Sequence, residues 1–296
     1  MRALTAAAID EPLVRRLLQA QFPHWAELPL RPVDFQGWDN RTFRLGEAMS
    51  VRLPSAERYA LQAGKEARWL PHLAAALPLA IPQVLGVGQP TAAFPYPWSV
   101  RGWIDGRPAG PADAGSHSVA TDLAAFLQAL WRIDPAGGPQ PGPHCFWRGG
   151  ALHTYDSEAR AALTALSGQF DLDRTMTMWE AALASRFDGP TAWVHGDIAP
   201  GNLLFDAERL IGVIDFGCCA IGDPACDLAV AWAWLEGPAR AAFRSVLAAP
   251  SPVWARARGW ALWKAAITLA DPARGGWPPP ALAARAMQAL LTEELE

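Results

Sequence analysis

Three oxygen-bearing side chains recur close together in Trp193-Val-His-Gly-Asp197-Ile-Ala-Pro-Gly-Asn202 and Ile214-Asp215-Phe-Gly217. Asp197 follows a short apolar run and sits on a loop containing Pro200 and Gly201. Asn202 closes that loop five residues later, and Asp215 lies thirteen residues beyond Asn202. A hairpin of that length, turning at Asp206 to Arg209, returns its second end beside its first and lets the three groups converge. Two carboxylates and a carboxamide at strand ends suit a hard cation. Magnesium takes oxygen ligands, keeps several waters and is completed by substrate phosphates. With Asn202 and Asp215 on the metal, Asp197 is left to accept or orient the proton of an attacking hydroxyl. That division of roles is the one phosphoryl transfer uses.

Such groups need elements to hold them. Asp10 is placed to cap a helix reaching about Ala20, with Pro12 in its first turn and Leu13, Leu17 and Leu18 on one face. Strand-like alternation follows at Val33 and Phe35, at Phe43 and Leu45, and at Val51 and Leu53. A helix is expected over 58–76, kinked or cut short by Pro71, and strands over 82–87 and 98–104. A helix is expected over 118–133, and the Gly- and Pro-rich 134–150 reads as an irregular loop or insertion. Helices at 157–167 and 174–187 precede the strands that end at Val194 and span 203–205 and 210–214. After Asp223 the pattern is helical, broken at Pro238, Pro250–Pro252 and 278–280.

Taken together, His195-Gly-Asp197-x4-Asn202, Ile214-Asp215-Phe-Gly217 and Gly222-Asp223-Pro-Ala-Cys-Asp227-Leu-Ala resemble the aminoglycoside phosphotransferase family of protein-kinase-like small-molecule kinases. Any one of these motifs is weak; all of them in order are specific. The resemblance covers most of the chain and implies an α+β, protein-kinase-like bilobal fold. A small antiparallel-sheet N-lobe (1–104) would bind nucleotide, and a larger, mainly helical C-lobe (105–296) would carry the catalytic loop and the acceptor site. It implies Asp197 as catalytic base, Asn202 and Asp215 as magnesium ligands, and ATP or GTP as co-substrate. Gly37-Trp-Asp-Asn40-Arg-Thr-Phe43 resembles the nucleotide-loop segment, although it lacks the full protein-kinase glycine series. Arg52 stands where the family usually has a phosphate-binding lysine, with Glu66 as its ion-pair partner. Ser99 to Ile104, including Arg101, resembles the hinge strand beside the nucleobase. Arginine at the lysine site is a departure that bears on nucleotide affinity, since a guanidinium differs from an ammonium in bulk and geometry. Gly196, in place of the arginine of regulated protein kinases, and the lack of an Ala-Pro-Glu segment imply a small-molecule acceptor and no activation-loop switch.

Several residues have plainer readings. His195 braces its loop rather than reacting, Asp206 suits a hairpin turn, Asp223 is a supporting or acceptor-facing acid, and Asp227 caps the helix after it, with support of the loop at Asp197 as its other role. Cys218, Cys219 and Cys226 match no metal-ligand spacing and read as buried thiols. Trp232 and Trp234 face different sides of a helix, one for the core and one for the acceptor, with Glu236 and Asp156 as acids for a cationic acceptor.

Composition sets the outer limits. The chain has 296 residues, 51% apolar and 18% charged, which excludes intrinsic disorder. Its net charge of −4 argues against a nucleic-acid binder, and its longest apolar run, Leu228 to Leu235, is too short for a membrane span. The first residues lack a hydrophobic signal core, and four scattered cysteines suit a reducing compartment, so a cytoplasmic protein is expected. Residues 1–110 carry a balance of +3 and residues 111–296 one of −7, compatible with an anionic ligand for the first part and a cationic one for the second. The acceptor stays open among aminoglycosides, macrolides, choline, homoserine and sugars, and antibiotic resistance stays open with it. Two rivals remain: a catalytically dead, nucleotide-binding pseudokinase, suggested by Arg52, and a metal-dependent hydrolase using His195, Asp197 and Asp215.

Overall fold

The computed structural model describes residues 8–34, 36–274 and 278–293. Two compact units divide the chain. The first runs to Asp105 and takes in Val213–Gly217, and the second comprises Gly106–Gly212 and the chain from Cys218 onward.

In the first unit, Asp10 caps helix α1 (Glu11–Gln21), its Oδ1 accepting the Leu13 N–H at 2.9 Å, and Leu13, Val14, Leu17 and Leu18 are buried. The helix covers one face of an antiparallel five-stranded sheet, ordered β1 (Leu30–Pro32), β2 (Asn40–Leu45), β3 (Met49–Pro54), β5 (Trp98–Gly102) and β4 (Val84–Gly88). Strand β1 lies earlier than the Val33–Phe35 alternation predicts. Leu30 pairs with Leu45 and buries against it, Pro32 ends the pairing, and Phe35 falls outside the described residues.

Side-chain alternation on β3 and β5 sorts chemistry from core. Val51, Leu53, Trp98 and Val100 point into the apolar cluster with α1. Ser50 and Arg52 fall on the opposite face, opposite Arg101 and Ser99 respectively. Helix α2 (Ala60–Ala74) buries Gln62, Glu66, Leu70 and Leu73 at helical spacing, and it runs three residues past Pro71.

The second unit starts with the two-residue β6 (Arg107–Pro108) and helix α3 (His117–Arg132). Helices α4 (Asp156–Ala165) and α5 (Leu172–Ala184) follow, then β7 (Ala192–Val194), the hairpin β8 (Leu203–Asp206) and β9 (Arg209–Val213), and β10 (Ala220–Gly222). Strands β6 and β10 carry no pattern long enough to read from sequence; they exist because β8 and β7 offer them edges. Among the described residues five helices follow: α6 (Ala225–Leu228), α7 (Val230–Ala233), α8 (Gly237–Leu247), α9 (Ser251–Ala270) and α10 (Pro280–Thr292). The prolines expected to break this stretch, Pro238, Pro252 and Pro280, each sit in the first turn of a new helix. Helix α9 is buried on most sides, Arg256 and Arg258 included. No helix among the described residues is long and apolar enough to cross a membrane.

Candidate active site

Strand β7 delivers the chain into His195-Gly196-Asp197, and that loop is held by groups below it. The fully buried Asp227 carboxylate accepts the His195 N–H at 2.8 Å and the Gly196 N–H at 2.7 Å. Burial pushes the Asp227 pKa up, opposed by His195 and these two N–H groups. His195 is fully buried, and its Nδ1 accepts the Asp197 N–H at 3.2 Å. Gly196 turns at φ 81°, where a Cβ would stand 2.5 Å from the Cys218 carbonyl oxygen, so no larger residue fits this turn. Asn202 donates through Nδ2 to the Asp197 carbonyl oxygen at 2.9 Å and to its Oδ2 at 3.3 Å. The half-buried Asp197 carboxylate is thus presented by a frame of hydrogen bonds.

The first unit carries a separate cluster. Arg101 forks onto Glu66 at 2.9 and 2.6 Å while its Nε donates to Ser99 Oγ at 2.9 Å, and all three are at least 95% buried. Arg52 lies 3.7 Å from Glu66, 3.4 Å from Asp39 and in direct contact with Asp215. Burial works against the charge on Arg52, but Asp215, Asp39 and Glu66 outweigh it and raise its pKa. Asp39 is pushed up to about 6 by burial and by the Asp215 charge, against the opposing pull of Arg52 and Asn40. Asp215 stands at φ 69°, a left-handed conformation that costs an L residue about 1–2 kcal/mol and that Asp tolerates better than most. Lys65 donates to the Gly217 carbonyl oxygen at 2.7 Å, tying α2 to this segment.

In the second unit, Asp197 opens on a cleft lined by Ile198, Val230, Trp260, Trp263, Lys264 and Arg148. Arg148 lies over aromatic rings, its Cζ 4.6 Å from the Trp263 ring centre and 5.4 Å from that of Trp260. A larger cavity of about 280 Å³ lies between α7, α8 and α10.

A model of the phosphotransferase enzyme family, APH, matches residues 30–260. The chain belongs to this family. Its fold is similar to that of APH(2")-IIIa in complex with GDP and kanamycin, at a TM-score of 0.70 and 18% identity, covering 94% of this chain and 97% of that one. It is also similar to the macrolide 2'-phosphotransferase MphH from Brachybacterium faecium, at a TM-score of 0.60 and 22% identity, covering 97% and 100%. The streptomycin–ATP ternary complex of APH(2")-IIa follows at 0.58 and 17%, covering 97% of each chain. No curated protein shows a significant sequence match. The fold is therefore the kinase-like α+β fold that the motifs suggested, with an antiparallel-sheet unit and a mainly helical one.

Within this APH-family chain, the residues singled out from sequence fall into two groups. Asp197 and Asn202 meet in the second unit; Arg52, Glu66, Arg101, Ser99 and Asp215 meet in the first. The expected Arg52–Glu66 pair is present, but the fork on Glu66 belongs to Arg101, leaving Arg52 mainly to Asp215. The Arg101 and Ser99 side chains are spent in that network, and the backbone of β5 pairs with β3 on one side and β4 on the other. Asn40 is buried at the start of β2 and hydrogen-bonds Asp39.

Asp227 lies in the first turn of α6, and of its two expected roles its carboxylate fills the second, accepting from the His195–Gly196 backbone of the loop at Asp197. Asp223 is clamped by Arg256 at 2.5 and 3.2 Å, and Asp156 holds Arg160 and the Trp179 indole. Trp232, Trp234 and Glu236 line the larger cavity, not the cleft at Asp197, and Glu236 pairs with Arg285. Cys219 and Cys226 are buried, and burial raises the Cys226 pKa well above its ordinary value, so it stays a thiol. Among the described residues no group of three or more His, Cys, Asp or Glu side chains is placed to hold a metal. Sequence reasoning missed Arg148, Trp260 and Trp263 at the cleft, and Asp39 beside Arg52. Arg148 lies in a segment without periodicity, and the two tryptophans sit on a helix buried on most sides, so nothing in the pattern marks their direction.

Proposed function

We propose that this protein transfers the γ-phosphoryl group of a nucleoside triphosphate to a hydroxyl of a small molecule. The observation that carries the reading is the Asp197 carboxylate, oriented by Asn202 and by the His195–Asp227 frame and opening on a cleft. In the proposed step a bond forms between the acceptor oxygen and the γ-phosphorus. The bond from that phosphorus to the bridging oxygen breaks, the nucleoside diphosphate leaves, and the hydroxyl proton passes to Asp197. Asn202 occupies Oδ2, which leaves Oδ1 for that proton. Positioning and charge neutralisation supply most of the acceleration.

The donor chemistry fits a divalent cation. Asn202 spends its Nδ2 on Asp197, so its side-chain carbonyl oxygen is the atom suited to a metal. Around Arg52 and Arg101, the three carboxylates of Glu66, Asp39 and Asp215 exceed the guanidinium charge. Asn202 and Asp215 would hold magnesium, which neutralises phosphate charge when bound. On this reading Arg52 steadies phosphate oxygens, and the backbone of the Ser99–Ile104 stretch meets the base. That nucleotides are bound by the structural relatives in complex with GDP and with ATP supports the co-substrate.

One observation favours a second reading, a nucleotide-binding protein without turnover: the Arg52 guanidinium sits on Asp215 itself. A mass-shift screen separates the two. Protein, Mg²⁺ and ATP or GTP are incubated with candidate alcohols, beside Asp197→Ala. A phosphate-sized gain on one acceptor, absent in the variant, supports the kinase; nucleotide binding with no gain on any acceptor supports the second reading.

A further inference from the structure

Arg52, Arg101, Arg107, Arg160, Arg244 and Arg256 each pair with a carboxylate. Arg148 has no such pair among the described residues. Among the described residues its hydrogen-bond partner is the Tyr155 hydroxyl, at 3.4 Å from Nη1, and its other neighbours are the faces of Tyr155, Trp260 and Trp263. The three rings lie 4.6–5.8 Å from its Cζ and supply no negative charge. A half-buried cation in that state is an anion site awaiting its partner.

Trp260 lines the same cleft. It is 3% exposed, and among the described residues its indole Nε1 has no hydrogen-bond partner. Trp263 on the same cleft donates to Glu158 at 2.8 Å, whereas Trp98, Trp103 and Trp131 elsewhere share the state of Trp260. A buried donor left unsatisfied costs about 1–3 kcal/mol, and a ligand oxygen removes that cost. The rest of the lining near Asp197 is apolar, from Ile198, Ala199, Val230 and Ala233, with Lys264 as a further cation.

The position of Arg148 is built in. A Cβ on Gly196 would stand 2.9 Å from the Arg148 Cβ, so the arginine packs directly on the catalytic loop. Its own N–H donates to the Cys145 carbonyl oxygen at 3.1 Å, and Gly149 accepts the Asp223 N–H at 2.8 Å. The segment 134–150 thus carries a cation to the edge of the site.

Resting on the reading of Asp197 as base, we infer that the acceptor is a small alcohol bearing a carboxylate, bound by Arg148 and the Trp260 N–H. Its carbon skeleton lies on the tryptophan faces and its hydroxyl reaches Asp197. The −7 balance over 111–296 does not favour a polycation here, because charges more than about 10 Å away are largely screened, whereas Arg148 and Lys264 line the cleft itself.

The test uses a panel of hydroxy acids that includes 3-hydroxybutyrate, 4-hydroxybutyrate and mandelate, each beside its methyl ester, with kanamycin as the cationic comparison. Binding is measured by calorimetry with ADP and Mg²⁺ present, and phosphate gain by mass. The expected result is an acid bound about tenfold more tightly than its ester. Arg148→Gln abolishes that preference, and Arg148→Lys restores part of it. Trp260→Phe, which keeps the ring and removes the N–H, weakens binding but leaves the acid preferred. No binding by any acid, binding confined to esters or kanamycin, or a preference untouched by Arg148→Gln would overturn the inference. Tight, Arg148-dependent binding of an acid without phosphate gain would leave the carboxylate subsite standing and count against the kinase reading instead.

Discussion

The two units hold their functional carboxylates by different means. In the first, Asp215 and Asp39 are held by ion pairs to Arg52, itself shared with Glu66, which Arg101 grips from the other side. In the second, Asp197 is set by its own N–H on His195 Nδ1, by the Asn202 amide and, through Gly196 and His195, by backbone bonds to Asp227. A guanidinium can be redirected by any competing anion, so the first arrangement suits a place where phosphates arrive and leave. A carboxylate on a backbone pinned in this way, with one oxygen held by an amide, has less such freedom, which suits the proposed base that must meet a hydroxyl at one position.

The comparison is broken most sharply at Asp197. Asp197→Asn keeps the shape of the frame and removes the base, so turnover should fall about 10³-fold with nucleotide affinity nearly unchanged, checked by single-turnover kinetics and nucleotide titration. Equal loss of both would contradict the assignment. Next comes the buried pair: Glu66→Ala leaves the Arg101 guanidinium without its partner and should destabilise the protein by about 3–5 kcal/mol in urea unfolding. Asp227→Ala exposes the backbone frame to the same logic. Two buried N–H groups lose a charged acceptor, and a loss of about 3 kcal/mol is expected, with turnover reduced in step as the loop loosens.

The smallest effect sharpens the contrast through pH. Asp39, pushed up to about 6 from its ordinary 3.8, binds its proton more tightly in the folded than in the unfolded chain. Its contribution to stability is therefore complete below about pH 4 and is lost as pH rises through about 6. Asp39→Asn should flatten that part of the stability–pH curve, read from urea midpoints at pH 4, 5, 6 and 7. An unchanged slope would show that Asp39 titrates normally.

Much of this was legible in the residues. The α1 cap at Asp10, the apolar alternation of β2 and β3 and the spacing of Asp197, Asn202 and Asp215 all act over short stretches, where periodicity and turn chemistry report directly. The elements that escaped are those defined by a partner: β6 and β10 exist as edges for β8 and β7, and β1 is placed by Leu30 against Leu45. Asp227 is a half-way case: its residue type and place allowed either a helix cap or support of the loop before it, and only the fold, by bringing the His195 and Gly196 amides to it, decides for the loop.

By itself the sequence determined the order of the elements, the motif that names the family and which residues are the candidates for the proposed chemistry, because each is written in neighbouring residues. Tertiary structure alone decided who pairs with whom: that Arg101 rather than Arg52 forks onto Glu66, and that Arg148 comes to lie beside Asp197. The physical reason is common to both. A guanidinium on a flexible stem, or in a segment without periodicity, carries no local signal of its direction, and its partner is chosen by whichever charge or ring the folded chain sets within reach.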